Sequence, residues 1–135
     1  MSKPLIHAIS SQRRWGGDIE DYLEIHNLMD SSKGTIADSR HRALTHNAWF
    51  VAEIIERVFG VYFVNSAGRK VSTRDVAEQH VLEDYAGRFI PSAQDFLEDM
   101  PLKDWMNNGR HGEPSSYKII EEDKKKRTKT KEIVL

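Results

Sequence analysis

The chain contains no cysteine. That excludes disulfides, thiolate metal sites and cysteine nucleophiles together. It leaves any metal to histidine, aspartate and glutamate, a donor set suited to a divalent transition metal such as zinc, manganese or iron. Long apolar runs are missing as well. The opening MSKPLIHAISSQRRW has nothing like the core of a signal peptide, and no later segment approaches the length of a membrane span. The expectation is a cytoplasmic protein without membrane contact. The glycines are isolated punctuation at Gly16-Gly17 and Gly60 rather than a phosphate-cradling loop, and no serine sits in a nucleophile elbow.

An excess of one charge is also lacking: 20 Lys and Arg stand against 21 Asp and Glu. The balance is uneven along the chain. Residues 111–135 hold seven basic and five acidic side chains, which leaves 13 against 16 for the body, a net charge of −3. Such a body is a poor nucleic-acid surface, because affinity there comes mainly from neutralised phosphates. After Ile120 the sequence runs EEDKKKRTKTKEIVL, charge blocks without a helical or strand period. That composition cannot bury enough apolar surface to offset its ordering entropy, so the prediction is a domain over residues 1–110 and a disordered tail over 111–135.

The body reads as mainly α: four to five helices with one small hairpin at about residues 61–72. Gly16-Gly17 closes a first short segment. Asp18 is a candidate N-cap for a helix carrying Ile19, Tyr22, Leu23, His26 and Met29 at helical spacing. A second helix is expected from near Asp38 to Phe59, stopped by Gly60, with Leu44, Ala48, Val51, Ile55 and Val58 on one stripe. Trp49, Phe50, Phe59 and Trp105 read as core. Asn65-Ser66-Ala67-Gly68 is a good hairpin turn between β-rich arms. Ser72 and Asp75 then open a third helix, with Val76, Ala77, His80, Val81 and Asp84 on its stripe and Gly87 as its stop. Pro91-Ser92 begins a short helix through Met100, and Pro101 a last turn.

One pattern occurs twice: His26-x-x-x-Asp30 and His80-x-x-x-Asp84. Six histidines and ten aspartates in this length give roughly 0.4 such pairs by chance, so two is a mild excess. Each pair falls inside an apolar stripe, where residues four apart lie one above the other and can reach one ion. Alternatively, the Asp fixes the His ring while the other nitrogen binds metal. A buried carboxylate without compensation costs several kcal/mol, so Asp30 and Asp84 need a cation or a set of donors. The proposed ligands are His26, His41, His46, His80, Asp30 and Asp84. Arg42 and Lys33 would hold an anionic group, and Glu78 or Glu83 would be the general base, although neither glutamate is centred on the His80 stripe. His41 and His46 lie roughly 140° apart in an unbroken helix. They converge only if the helix starts after His41, bulges, or sits between two sites. His7 joins the cluster only if the first segment folds back, and His111 reads as solvated. The bland alternative is a metal-free network of these residues with Arg40, Arg42, Arg88 and Lys33.

The blocks HAISSQRRWGGDIEDYLEIHNLMDSSK, DSRHRALTHNAWF and NSAGRKVSTRDVAEQHVLEDYAGRFIPSAQDFL, in that order, resemble an uncharacterised family of short bacterial and phage proteins over roughly residues 7–106. The resemblance implies a shared site among His7, His26, Asp30, Lys33, His41, Arg42, His46, Glu78, His80 and Asp84, and a host-cytoplasmic location if the chain is phage-encoded. The HRALTH block is also similar to the HR-x-x-TH segment of membrane-bound metal-dependent hydrolases, whose spans are missing here. The functional expectation is a small metal-dependent hydrolase for a phosphate-containing or other anionic substrate. Its alternative is a non-enzymatic phage-type inhibitor or ligand-binding module in which the cluster is structural, with a small anionic ligand or a host protein as partner.

Overall fold

A computed structural model describes residues 3–107 of the chain. Helix α1 spans Pro4–Trp15, with proline at its first position, where its fixed φ suits a helix start and its missing N–H is no loss. It buries His7, Ala8 and Ser11 on one face. Helix α2 (Glu20–Asp30) buries Tyr22, Ile25, His26, Met29 and Asp30, the i, i+3, i+4, i+7, i+8 series of an amphipathic helix. The side chain of Asp18 does not cap it. Instead Asp21 accepts from the Asp18 N–H at 2.8 Å and, across the chain, from the Ser66 N–H at 2.9 Å. This carboxylate ties the helix start to the hairpin turn, a long-range use that local spacing does not reveal. Gly17 lies beneath it at φ +74°, where a Cβ would press on Asn65 and Asp21.

The predicted helix from Asp38 to Phe59 is two pieces. After a 3-10 turn at Ser31–Gly34, Asp38 caps a second such turn, Ser39–His41, which leads into the single-turn helix α3 (Arg42–Thr45). His46 leaves the helical region at φ −100°, ψ 50°. Asn47 then restarts the helix: its Oδ1 accepts from the Phe50 N–H at 2.9 Å, and its Nδ2 donates to the Ala43 carbonyl. The new helix runs without interruption through α4 (Ala48–Phe50), a π-helical stretch (Val51–Ile55) and α5 (Glu56–Phe59), and ends at Gly60. The break and the π stretch rotate the apolar stripe, so Val51 and Ile55 are buried while Leu44, Ala48 and Val58 face outward. Trp49 and Trp105 are exposed rather than core, whereas Phe50 and Phe59 pack on the core's edge.

Strands β1 (Tyr62–Val64) and β2 (Lys70–Ser72) form the expected antiparallel hairpin, with Phe63 opposite Val71. The Asn65 side chain organises its turn by accepting from the Ala67 and Arg69 N–H groups. Ser72 caps helix α6 (Thr73–Asp84) by accepting from the Asp75 N–H, and Gly87 follows its end with φ +74°. Helix α7 (Ala93–Leu97) is opened by a capping box of Ser92 and Asp95 and stops before Met100. Helices α1, α2 and α6 pack on one another, with the π-helical stretch against α6. Their common core is Ala8, Tyr22, Ile25, Met29, Val51, Ile55, Val71, Val76, Ala77 and Val81. Residues from Asp99 onward belong to a second unit, whose described part carries a 3-10 turn at Asp104–Met106. His111 and the predicted tail lie outside the described residues, and no described helix is long and apolar enough to cross a membrane.

Candidate metal centre

Helices α2 and α6 each present a histidine and, one turn on, an aspartate. The break after α3 turns His46 toward both pairs. Ligand atoms of Asp30, His46, His80 and Asp84 all lie within 4.8 Å of one another, in a site buried from solvent. The His80 Nε2 is 3.2 Å from Asp30 Oδ1 and 3.3 Å from Asp84 Oδ2, and the His46 Nε2 is 2.7 Å from the same Asp84 oxygen. Two imidazole nitrogens and two carboxylate oxygens could hold a metal ion there.

What stands behind His80 assigns the proton on its Nδ1. The Gln79 Nε2 donates to the His7 carbonyl at 3.1 Å and to Glu83 Oε1 at 2.8 Å, so its Oε1 faces the Ser11 hydroxyl, 2.6 Å away. Ser11 has one proton and two neighbours that only accept, this amide oxygen and the His7 carbonyl at 3.0 Å. Its third neighbour, the His26 Nε2 at 2.8 Å, must therefore donate to it. Burial, reinforced by His80 and His7, pulls His26 down to about 2, so its ring carries that single proton. The bare His26 Nδ1 accepts from the His80 Nδ1 at 2.9 Å. The His80 Nε2, on the opposite side of the ring, faces two carboxylates. That arrangement calls for a positive charge between them.

Both carboxylates are ionised. Burial works to raise Asp84, but His46, His7 and His80 outweigh it and hold the group well below the usual carboxylate range. Asp30 is lowered against the same burial by His80 and Lys33. Lys33 sits 3.2 Å from Asp30 Oδ2 with its side chain 31% exposed, which makes it a rim cation. His7 answers Asp84 from the other side. The ring stacks on His80 with centroids 3.8 Å apart, and its Nδ1 is 2.8 Å from Glu83. The His7 Nε2 lies 3.2 Å from Asp84 Oδ1 without the alignment of a hydrogen bond, so the attraction there is one of charge. Burial opposes protonation of His7, but the two carboxylates prevail and raise it.

The six predicted ligands thus separate. Asp30, His46, His80 and Asp84 converge; His26 stands behind His80 with both nitrogens engaged. The His41 ring meets His46 edge to face at 5.2 Å, with its Nδ1 bonded to Ser32 at 2.7 Å and its Nε2 buried without a partner. Arg42 lays its guanidinium over the Tyr85 ring, 5.2 Å from the centroid. Glu78 lies elsewhere, lining a surface cavity of about 320 Å³ with Arg14, Trp15, Asp75, Gln79 and Leu82. Glu83 holds His7, Ser10 and Gln79. Sequence reasoning left His7 open and missed Ser11, Gln79, Ser32 and Thr45. Ser11 and Gln79 carried a signal: Ser11 lies four residues after His7, and Gln79 adjoins His80 on a helix with an apolar stripe. Nothing local marks Ser32 and Thr45.

The chain finds no match among curated proteins, and none among solved structures. Residues 2–106 match a family described as a domain of unknown function, DUF6915. With its two His-x-x-x-Asp helices inside that span, the chain belongs to this family.

Proposed function

We propose that this protein binds one divalent transition metal (zinc, manganese or iron) through Asp30, His46, His80 and Asp84, and that it is a small metal-dependent hydrolase of a phosphate-containing or other anionic substrate. The observation that carries the metal is the convergence of the His46 and His80 Nε2 atoms on two ionised carboxylates, with a hydrogen bond behind each ring. A dication there answers the charge of both carboxylates, and the mixed nitrogen and oxygen donors fit these metals. The rear hydrogen bonds of His80 to His26 and of His46 to Thr45 are the kind that orient metal-bound imidazoles. Lys33 and Arg42 are the cations available to hold an anionic substrate, and a metal there would polarise it and activate water.

A second reading has its own support. Four protein ligands close a tetrahedral shell, as structural sites do, whereas catalytic zinc keeps a position open. In that case the domain is a binding module for a small anion or a protein partner. Metal analysis of untagged protein tests the first step: about one equivalent of zinc, manganese or iron is expected. Less than about a tenth, with no thermal shift on adding zinc or manganese, overturns it. Asp84→Asn should weaken zinc at least about 100-fold, more than the loss typical of an outer partner. Turnover of a generic phosphoester by the loaded protein separates hydrolase from binder.

A further inference from the structure

Behind His46 runs a second chain of hydrogen bonds, and its polarity has two settings. The His46 Nδ1 is 2.9 Å from Thr45 Oγ1, which is 3.0 Å from Ser32 Oγ, which is 2.7 Å from the His41 Nδ1. Each hydroxyl has one proton and two neighbours in this chain, so the donors all point toward His46 or all point toward His41. When the His46 Nε2 donates to Asp84, its Nδ1 accepts, and the chain points toward His46. His41 then carries its proton on Nδ1. When a metal occupies the His46 Nε2, its Nδ1 must donate instead, and the chain reverses. The His41 Nδ1 becomes the acceptor, so its proton moves to Nε2. One proton leaves His46 Nε2, one is taken up at His41 Nε2, and both rings remain neutral.

We propose that metal binding converts the His41 Nε2 into a hydrogen-bond donor for a small oxyanion, through the hydroxyls of Thr45 and Ser32. The inference rests on the metal reading above and adds to it a ligand contact and a direction of control. The receiving end is suited to it. The His41 Nε2 is buried with no partner, and so is the Nε of the next residue, Arg42, a second unanswered donor. A buried donor left unpaired is costly, which favours a ligand that answers it. His41 stands directly against His46, next to the metal ligands, while Ser39 and Arg40 on the same turn are exposed. Without metal the bare Nε2 would repel the same anion, so the order of binding is metal first.

Nitrogen-correlated NMR of ¹⁵N-histidine protein with and without zinc reads the tautomers directly. The expected result is His41 with its proton on Nδ1 before zinc and on Nε2 after it. Zinc bound with the His41 tautomer unchanged overturns this inference and leaves the metal reading standing; no zinc binding removes both. In a second arm, inorganic phosphate is titrated into wild type and Ser32→Ala, each at saturating zinc. Cutting the chain at Ser32 should weaken phosphate about tenfold, the scale of one lost hydrogen bond to a charged group. Equal phosphate affinity in the two proteins overturns the proposal.

Discussion

The two histidines that converge on the site are held from behind in opposite ways. His80 is backed by regular helices: α1, α2 and α6 supply Ser11, His26 and Gln79, and a main-chain carbonyl and an ionised Glu83 anchor the far end. Acceptors that cannot donate fix every proton in that chain. His46 is backed by the irregular segment between α2 and α4, where Thr45 and Ser32 can each turn around. The helical half therefore sets a constant ligand, and the irregular half transmits a change. An anchor with only one hydrogen-bonding role makes a chain rigid, and a run of hydroxyls makes one reversible.

The sharpest way to break the comparison is at His26. Gln at this position can accept from the His80 Nδ1 through its amide oxygen and donate to Ser11 through its nitrogen, preserving the polarity. Leu can do neither. Zinc titration should find His26→Gln within a few-fold of wild type and His26→Leu about 10- to 100-fold weaker, the usual effect of losing an orienting partner. Equal loss in both variants would mean that His26 contributes shape alone.

Acid tests the charges of the whole centre in metal-free protein. His26, His46 and His41 are all depressed below the unfolded value of 6.5, chiefly by burial. As pH falls below 6.5 the unfolded chain gains protons that the folded rings refuse, so stability is lost in that direction. His7 is raised and works the other way: its contribution is complete below 6.5 and disappears as pH rises through its folded value. Three groups against one predict a melting temperature that falls from pH 7 toward pH 5. The lowered Asp30 and Asp84 add a further loss below their unfolded value of 3.8. A melting temperature that rises on acidification to pH 5 would show that the rings are protonated in the fold.

The same division separates what the sequence discloses from what it conceals. The helical half was legible: the stripes of α2 and α6 carry His26, Asp30, His80 and Asp84 inward, and the hairpin and the Ser72 cap fall where turn chemistry puts them. The irregular half was not. Its 3.6-residue period continues across Thr45-His46-Asn47, yet the Asn47 side chain caps a new helix there and the chain breaks. That break resolves the angular conflict between His41 and His46. His7 reaches the site only because α1 folds back onto α6, a packing that no local period encodes.

Glu78 should show the smallest effect, and it limits the site. It precedes His80 by two residues, which places it about 200° around the helix, off the ligand face. Its surroundings agree with that angle: it shares a surface cavity with Arg14 and Asp75 rather than contacts with the histidines. Burial chiefly raises its carboxyl, with Arg74 opposing and Asp75 and Glu56 adding to it. A raised carboxyl in a cleft is often a sign of catalysis, but here desolvation and neighbouring acids at the cavity account for it. Glu78→Gln removes the charge and keeps the shape. Zinc affinity should stay within about twofold of wild type, and stability within about 0.5 kcal/mol, the range of substitutions away from special sites. A large loss of metal or of turnover in this variant would extend the centre across α6 and restore Glu78 as its base.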